Sequence, residues 1–420
     1  MPAFAGMTTG DKCGFILLRV LTLCLVLAAP GFLPARAQET LDVISAPAPE
    51  YEFGETMTFQ MTAQSSAGDI IGATVYVRAF GLERTFVGPA HLTQGQEITA
   101  TYTLNLHMLP LPPFAPVQYW WEISASEGAS LITEPQTFLY EDNRFEWRTL
   151  TAGGVTVHWY AGETPFGQAA LDAAVAALER ANRDLRAPLP QAVNLYVYES
   201  AEAARAALAP VGRIWADGYA DPPLGLAVVA VADDLDAIHN LEREIPHELT
   251  HVLVYQATGE HYDQVPTWLN EGLAVMNQAQ PDPAFPAALE AARQAGTLLR
   301  LSSLCGPLPA DPAQAQLAYA ESESVVRYIR DTFGVSGLAG LLAAYADGLG
   351  CGPGVERALG IPLDELERNW LAAVFQTGPI NSPSGNSDPL PWAILAAVML
   401  FAPALFYILI RRRPPSRRAA

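Results

Sequence analysis

Short runs of alternating apolar and polar residues fill the first third of the chain. They are MTFQMTA (Met57–Ala63), ATVYVRAF (Ala73–Phe80), EITATYTLNL (Glu97–Leu106), VQYWWEISA (Val117–Ala125) and PQTFLYE (Pro135–Glu141). Alternation with period two marks half-buried strands, and Gly-, Pro- and Ser-rich breaks separate the runs, so a β-sandwich of about 100 residues is predicted. Tyr119, Trp120 and Trp121 stand side by side in one strand. Neighbouring strand residues point to opposite faces, so at least one Trp belongs to the core rather than to a ligand platform. From residue 143 the pattern changes. VTVHWYA (Val155–Ala161), VNLYVYE (Val193–Glu199) and GLAVVAVA (Gly225–Ala232) predict strands, with an alanine-rich helix at Gly167–Leu185. Helical periodicity then dominates, over Asp236–Thr258, Pro266–Asn277, Pro286–Gly296, Gln314–Phe333, Ser336–Leu349 and Pro362–Phe375. A small sheet followed by a helical half is an α+β plan.

The ends of the chain carry apolar runs of another kind. Leu17–Ala29, LLRVLTLCLVLAA, follows Lys12 and precedes Ala35-Arg36-Ala37, which fits the A-x-A pattern of a secretory cleavage site. An uncleaved anchor is the alternative. Trp392–Ile410, WAILAAVMLFAPALFYILI, is uncharged. About 19 residues at a rise of about 1.5 Å nearly cross a hydrocarbon core of about 30 Å. Arg411, Arg412, Arg413, Arg417 and Arg418 follow, an asymmetry that predicts a cytoplasmic tail. The expected organisation is a signal peptide (1–37), an immunoglobulin-like β-sandwich (38–142), a mixed domain (143–376), a Pro- and Ser-rich linker (377–390), a transmembrane helix (391–410) and a basic tail (411–420). The expected setting is a cell membrane crossed once, with the body outside the cytoplasm.

Charge narrows the partners. The chain has 44 acidic against 24 basic residues, a formal net charge of −20. Several of the basic residues lie in the two ends, so the body is strongly acidic, which argues against nucleic acid or anionic lipid. Cys13 and Cys24 belong to the leader, leaving Cys305 and Cys351. An isolated pair in an exported protein points to a disulfide.

Chemistry concentrates in IPHELTHVLVYQ, Ile245–Gln256. His247 and His251 are one helical turn apart, so both imidazoles leave one face and can take two positions of a tetrahedral zinc. Glu248 stands about 100° further round the helix. From there a carboxylate can reach water beside the metal and take its proton as the water attacks a carbonyl. The H-E-x-x-H pattern is therefore a set of mechanical roles, and with seven histidines in the chain a chance match is rare. The competing reading is a buried helix with two structural histidines. A third ligand should lie downstream. Gly259 suits a helix stop and Pro266 the first turn of the next helix, which carries WLNEGLA (Trp268–Ala274) with Glu271. A short reversal between antiparallel helices can return Glu271 to the histidines. The longer pattern with a third histidine fails, because Val254 and Ala257 occupy its Gly and His positions. His261 on the connecting loop is a competing donor, though a solvated loop histidine is its simpler reading.

HELTH followed at this distance by WLNEGLA resembles the gluzincin zinc metallopeptidases, and within them the peptidase-MA-like group of bacterial envelope proteins. The resemblance spans roughly residues 144–376 and is concentrated in the two motif helices. It implies zinc on His247, His251 and Glu271, with water in the fourth position and Glu248 as general base. Leu317–Gly334, LAYAESESVVRYIRDTFG, is similar to a helix that closes the site in that group, and it makes Tyr319 a candidate hydrogen-bond donor to the tetrahedral intermediate. The chain departs from the group in two places. Val275 stands where many relatives carry an acidic residue that orients a ligating histidine. Pro246 lies inside the motif helix, where it removes one backbone hydrogen bond and predicts a kink, the alternative being that the zinc-bearing helix starts there. The expected function is a membrane-anchored extracytoplasmic zinc metallopeptidase acting on a peptide or protein substrate. The alternative is a non-catalytic envelope binding or adhesion module.

Overall fold

The computed structural model describes residues 40–375 apart from 67, 210–217 and 281. Nine strands form the first part: β1 (Leu41–Ser45), β2 (Glu50–Glu52), β3 (Thr56–Ser65), β4 (Ile70–Ala79), β5 (Phe86–Pro89), β6 (Glu97–Asn105), β7 (Pro116–Ala125), β8 (Ser130–Ile132) and β9 (Gln136–Leu139). In one sheet β3 pairs with β6 along its length and with β1 and β2; in the other β5, β4, β7 and β8 lie in that order, with β9 also on β7. The alternation read from the sequence decides which side chains meet between the sheets. Met57, Phe59, Met61 and Ala63 of β3 are buried, as are Val117, Tyr119, Trp121 and Ile123 of β7. Trp120 takes the other face and stacks on Tyr76, with ring centroids 5.4 Å apart. The short strands β1, β2, β5 and β8 have too few residues to display a period.

The second part is a five-stranded sheet with helices. β10 (Arg148–Ala152), β11 (Val155–Trp159), β12 (Val193–Tyr198), β13 (Gly218–Asp221) and β14 (Leu226–Ala230) are ordered β10-β11-β12-β14-β13. The three central strands are parallel and the two edge strands antiparallel. α1 (Thr164–Leu185) makes the crossover from β11 to β12, and α2 (Ala201–Leu208) follows β12. α3 (Ala237–Thr258), α4 (Thr267–Asn277), α5 (Phe285–Ala295), α6 (Pro312–Ala346), α7 (Cys351–Leu359) and α8 (Leu363–Phe375) complete the helical half. One apolar cluster joins the front of the sheet to α1, α3, α4 and α6. A second is continuous from the sandwich interior to the back of the sheet, through Tyr196, Tyr198, Leu226 and Val228. At that junction Tyr198 donates to fully buried Asp142 (2.8 Å), which also pairs with Arg144 (2.7 Å).

Two readings need revision. The membrane-anchored, single-pass architecture is not supported. Among the described residues no helix is long and apolar enough to cross a membrane, and the anticipated span at 391–410 lies outside them, as do the signal peptide, linker and basic tail. The described residues form a β-sandwich followed by an α+β domain, and they give no support to a membrane partner or a single-pass location. The helices read at Gln314–Phe333 and Ser336–Leu349 are both present within α6, which breaks between them at Gly334, whose φ of 70° suits glycine alone. Second, the apolar pattern does not reveal α7, because Gly352, Pro353 and Gly354 open it. Proline is tolerated in a first turn, and a side chain at Gly354 would overlap the Tyr345 ring. A disulfide joins Cys305 to Cys351 at the start of α7 (Cα–Cα 5.9 Å).

Candidate active site

α3 stays helical through Pro246. Proline offers no N–H to the Glu242 carbonyl one turn back; the Ala279 N–H, just beyond α4, donates to that oxygen at 3.0 Å. Thr250 bonds the Pro246 carbonyl (2.7 Å), and Asn277 at the end of α4 donates to Thr250 (2.8 Å). The defect in α3 is thus converted into links with α4. On its other side α4 presents Gly272 to α6, where any side chain would overlap the Ser322 carbonyl. The glycine of NEGLA permits this close approach and sets the depth at which Glu271 lies.

The two helices bring His247, His251 and Glu271 together, with one potential ligand atom from each within 4.8 Å of the others. Glu271 Oε2 is 3.4 Å from His247 Nε2 and 3.8 Å from His251 Nε2. It is buried without a well-aligned hydrogen bond. Tetrahedral zinc with ligand bonds of about 2.0–2.1 Å separates its ligand atoms by about 3.4 Å. The donor set and the bare buried carboxylate oxygen fit such an ion. The chain carries a zinc site of the His/His/Glu kind.

Each histidine is held from its far side. His251 Nδ1–H donates to Asn270 Oδ1 (3.1 Å), and Asn270 Nδ2 donates to the Tyr262 hydroxyl (3.0 Å). This fixes the tautomer that leaves His251 Nε2 as a lone-pair donor. His247 Nδ1 lies 3.3 Å from the Gln278 amide. A metal on Nε2 requires a proton on Nδ1, so Gln278 presents its oxygen there, which is the other assignment of the same amide. Neither amide was singled out from the sequence. Asn270 could have been, as the neighbour of Glu271 on a helix already facing the histidines. Gln278 lies past the helix end and carries no such signal. Val275 packs in the core.

Burial acts on every group in this site. It would lower His247, but the adjoining Glu271 carboxylate and the charge of Glu248 push it up to about 9. Burial lowers His251. Burial also opposes ionisation of Glu271, yet the two histidines hold it below the usual carboxylate range. Glu248 is pushed up to about 8, first by burial and then by the neighbouring carboxylates, against the opposing charge of His247. It is not part of the ligand cluster, and its Oε1 lies against Gly218 of β13, where a Cβ would overlap it.

Residues 173–376 match the peptidase MA superfamily. This region is a zinc-dependent metallopeptidase domain. No curated protein matches the chain. Among solved structures, an aminopeptidase N family protein from Idiomarina loihiensis is 8% identical over 81% of this chain and 78% of its own, with a TM-score of 0.39. An M1 zinc metallopeptidase from Deinococcus radiodurans is 15% identical over 78% and 92%, with a TM-score of 0.33. OgpA from Akkermansia muciniphila, in a catalytically inactive form with an O-glycopeptide, is 10% identical over 25% of this chain and 30% of its own, with a TM-score of 0.20. At these scores the likenesses carry no statement about substrate.

Two further candidates in the metallopeptidase domain are now placed. His261 points away from the cluster and bonds the Ala346 carbonyl (2.8 Å). Tyr319 of α6 sets its ring edge-on to His247, with centroids 6.1 Å apart. Burial, then the charges of Glu271 and Glu248, raise its hydroxyl well above the ordinary tyrosine value, so it keeps its proton.

Proposed function

We propose that this chain hydrolyses peptide bonds, with His247, His251 and Glu271 holding zinc and Glu248 serving as general base. The observation that carries this reading is the division of labour on α3: two imidazoles converge with Glu271, while the carboxylate between them turns instead toward β13. Bound zinc supplies a Lewis acid that polarises the scissile carbonyl and acidifies water. Glu248 is a carboxylate beside the ligands and outside their cluster, so it would take a proton from attacking water and pass it to the leaving amine. β13 pairs with β14 on one side only among the described residues. An extended peptide pairing with β13 would run past Glu248, with backbone hydrogen bonds fixing its register. Tyr319, whose ring meets that of His247, retains its phenolic proton and would donate it to the developing oxyanion. The binding-module alternative leaves an intact base beside the ligands without a task.

Glu248→Gln tests the mechanism. Gln keeps the shape and cannot take the proton. Hydrolysis of a peptide library should fall by about 100-fold or more, while zinc content and melting temperature stay at wild-type values. Equal cleavage by both proteins would remove Glu248 from the mechanism.

A further inference from the structure

A cavity of about 440 Å³ opens where α1, the end of α4 and α6 meet, lined by Arg180, Arg183, Asp184, Met276, Gln278 and Arg330 among others. Three guanidinium groups in one cavity are conspicuous in a chain of net charge −20. Their own charges are poorly matched. Asp184 is the one carboxylate in the lining and lies 3.4 Å from Arg330. Arg180 gives one terminal nitrogen to the Asn277 carbonyl (3.5 Å), and its Nε is buried without a partner. Arg183 is exposed and has no hydrogen bond or ion pair among the described residues. The cavity also borders the C-terminal ends of α1 and α4, each equivalent to about half a negative charge. Even if both act fully on the three arginines and Asp184, about one positive charge remains unmatched.

We propose that this cavity binds a single oxyanion, a carboxylate or phosphate group, between Arg180, Arg183 and Arg330. Planar guanidinium groups suit both, since each can give two parallel N–H bonds to one anionic group. The group can come from a free small anion or from an acidic residue of the peptide substrate. Met276 offers an apolar wall for the methylenes of such a residue. Gln278 lines the cavity and also touches His247, so an occupant sits one side chain from the zinc ligands. The substrate source rests on the peptidase reading, whereas the anion site itself does not.

The full-length protein is titrated with inorganic phosphate by calorimetry, at low and at raised salt. One saturable site that weakens with salt is expected. Arg183→Gln should weaken it by about 10-fold or more, the size of one charge-assisted contact. Because Arg183 is exposed and bonds nothing, the variant should melt with the wild type. Arg330→Gln gives a second reading from another helix. Two peptides differing only by Glu or Gln are then used to displace phosphate. Displacement by the Glu peptide alone, lost in Arg183→Gln, assigns the site to substrate. Phosphate binding lost in Arg183→Gln, with neither peptide competing, assigns it to a free anion. No saturable phosphate binding, or binding unchanged in both variants, overturns the proposal and leaves the arginines as partners of the helix ends. None of these readings requires hydrolysis, so a failure of the peptidase assignment would show separately.

Discussion

Gly218 leaves no room for a side chain beside Glu248 Oε1. Gly218→Ala should therefore push the carboxylate out of place without touching a ligand. Hydrolysis should drop by about 10- to 100-fold, the loss expected when a general base is misplaced, and zinc content should remain one per chain by metal analysis. Retained activity would mean that Glu248 moves freely. At this scale the sequence was informative about groups whose chemistry is tied to spacing. His247, Glu248 and His251 fall on one helix, where rotation per residue dictates their directions. Gly218 was not legible, because its importance comes from a contact between a short edge strand and a helix far along the chain. The same holds for Gln278 against His247.

Between elements, glycine and buried charge set how α6 meets its neighbours. A methyl group on Gly272 would meet the Ser322 carbonyl, so Gly272→Ala should cost about 1–3 kcal/mol as overpacking, read as a lower denaturant midpoint. Zinc affinity should weaken with it, because α4 carries Glu271. Immediately before Ser322 on α6 lies Glu321, 1% exposed, with Oε1 accepting from the Leu299 N–H (3.0 Å) and Oε2 without a partner. Burial, reinforced by Glu367, pushes Glu321 up from 4.5 to about 7. The folded state then binds the proton more tightly than the unfolded chain, so stability is lost as pH rises from about 4.5 through about 7. The full penalty above that range is about 3 kcal/mol. Glu321→Gln should stabilise the protein by about that amount at pH 8 and change little at pH 4.5, in denaturant titrations at both values. A constant difference across pH would show that Glu321 does not titrate in this window. Long periodic helices such as α1 and α3 were legible because their apolar stripes repeat over several turns. The Glu321 site was not, since a single acidic residue in a helix reads as solvated until its neighbours are known.

For the molecule as a whole, two apolar clusters divide the work. One packs the helical half and the front of the sheet around the zinc site. The other runs from the sandwich into the back of the same sheet, so the sandwich braces the strands whose front supports α3. Composition predicted a change of architecture along the chain, but not this shared core, because apolar strands buried on both faces do not reveal their partners. The expected membrane span fell on residues beyond those described, and the described helices offer none. The disulfide belongs to the first cluster's periphery. It links Cys305, the last residue of the short turn Leu301–Cys305, to Cys351 at the head of α7, across a sequence separation of 46. Closing a loop of that size removes unfolded-state entropy worth about 4 kcal/mol in the chain-entropy account. The ligand cluster comes from α3 and α4, neither of which carries a bridged cysteine. Reduction under native conditions should therefore lower the denaturant midpoint by an amount corresponding to about 4 kcal/mol while leaving zinc stoichiometry unchanged. A reduced protein that keeps the oxidised midpoint would show that α7 and α8 are held by packing on α6 alone. Loss of zinc at temperatures where the fold persists would show that the bridge positions the metal helices as well.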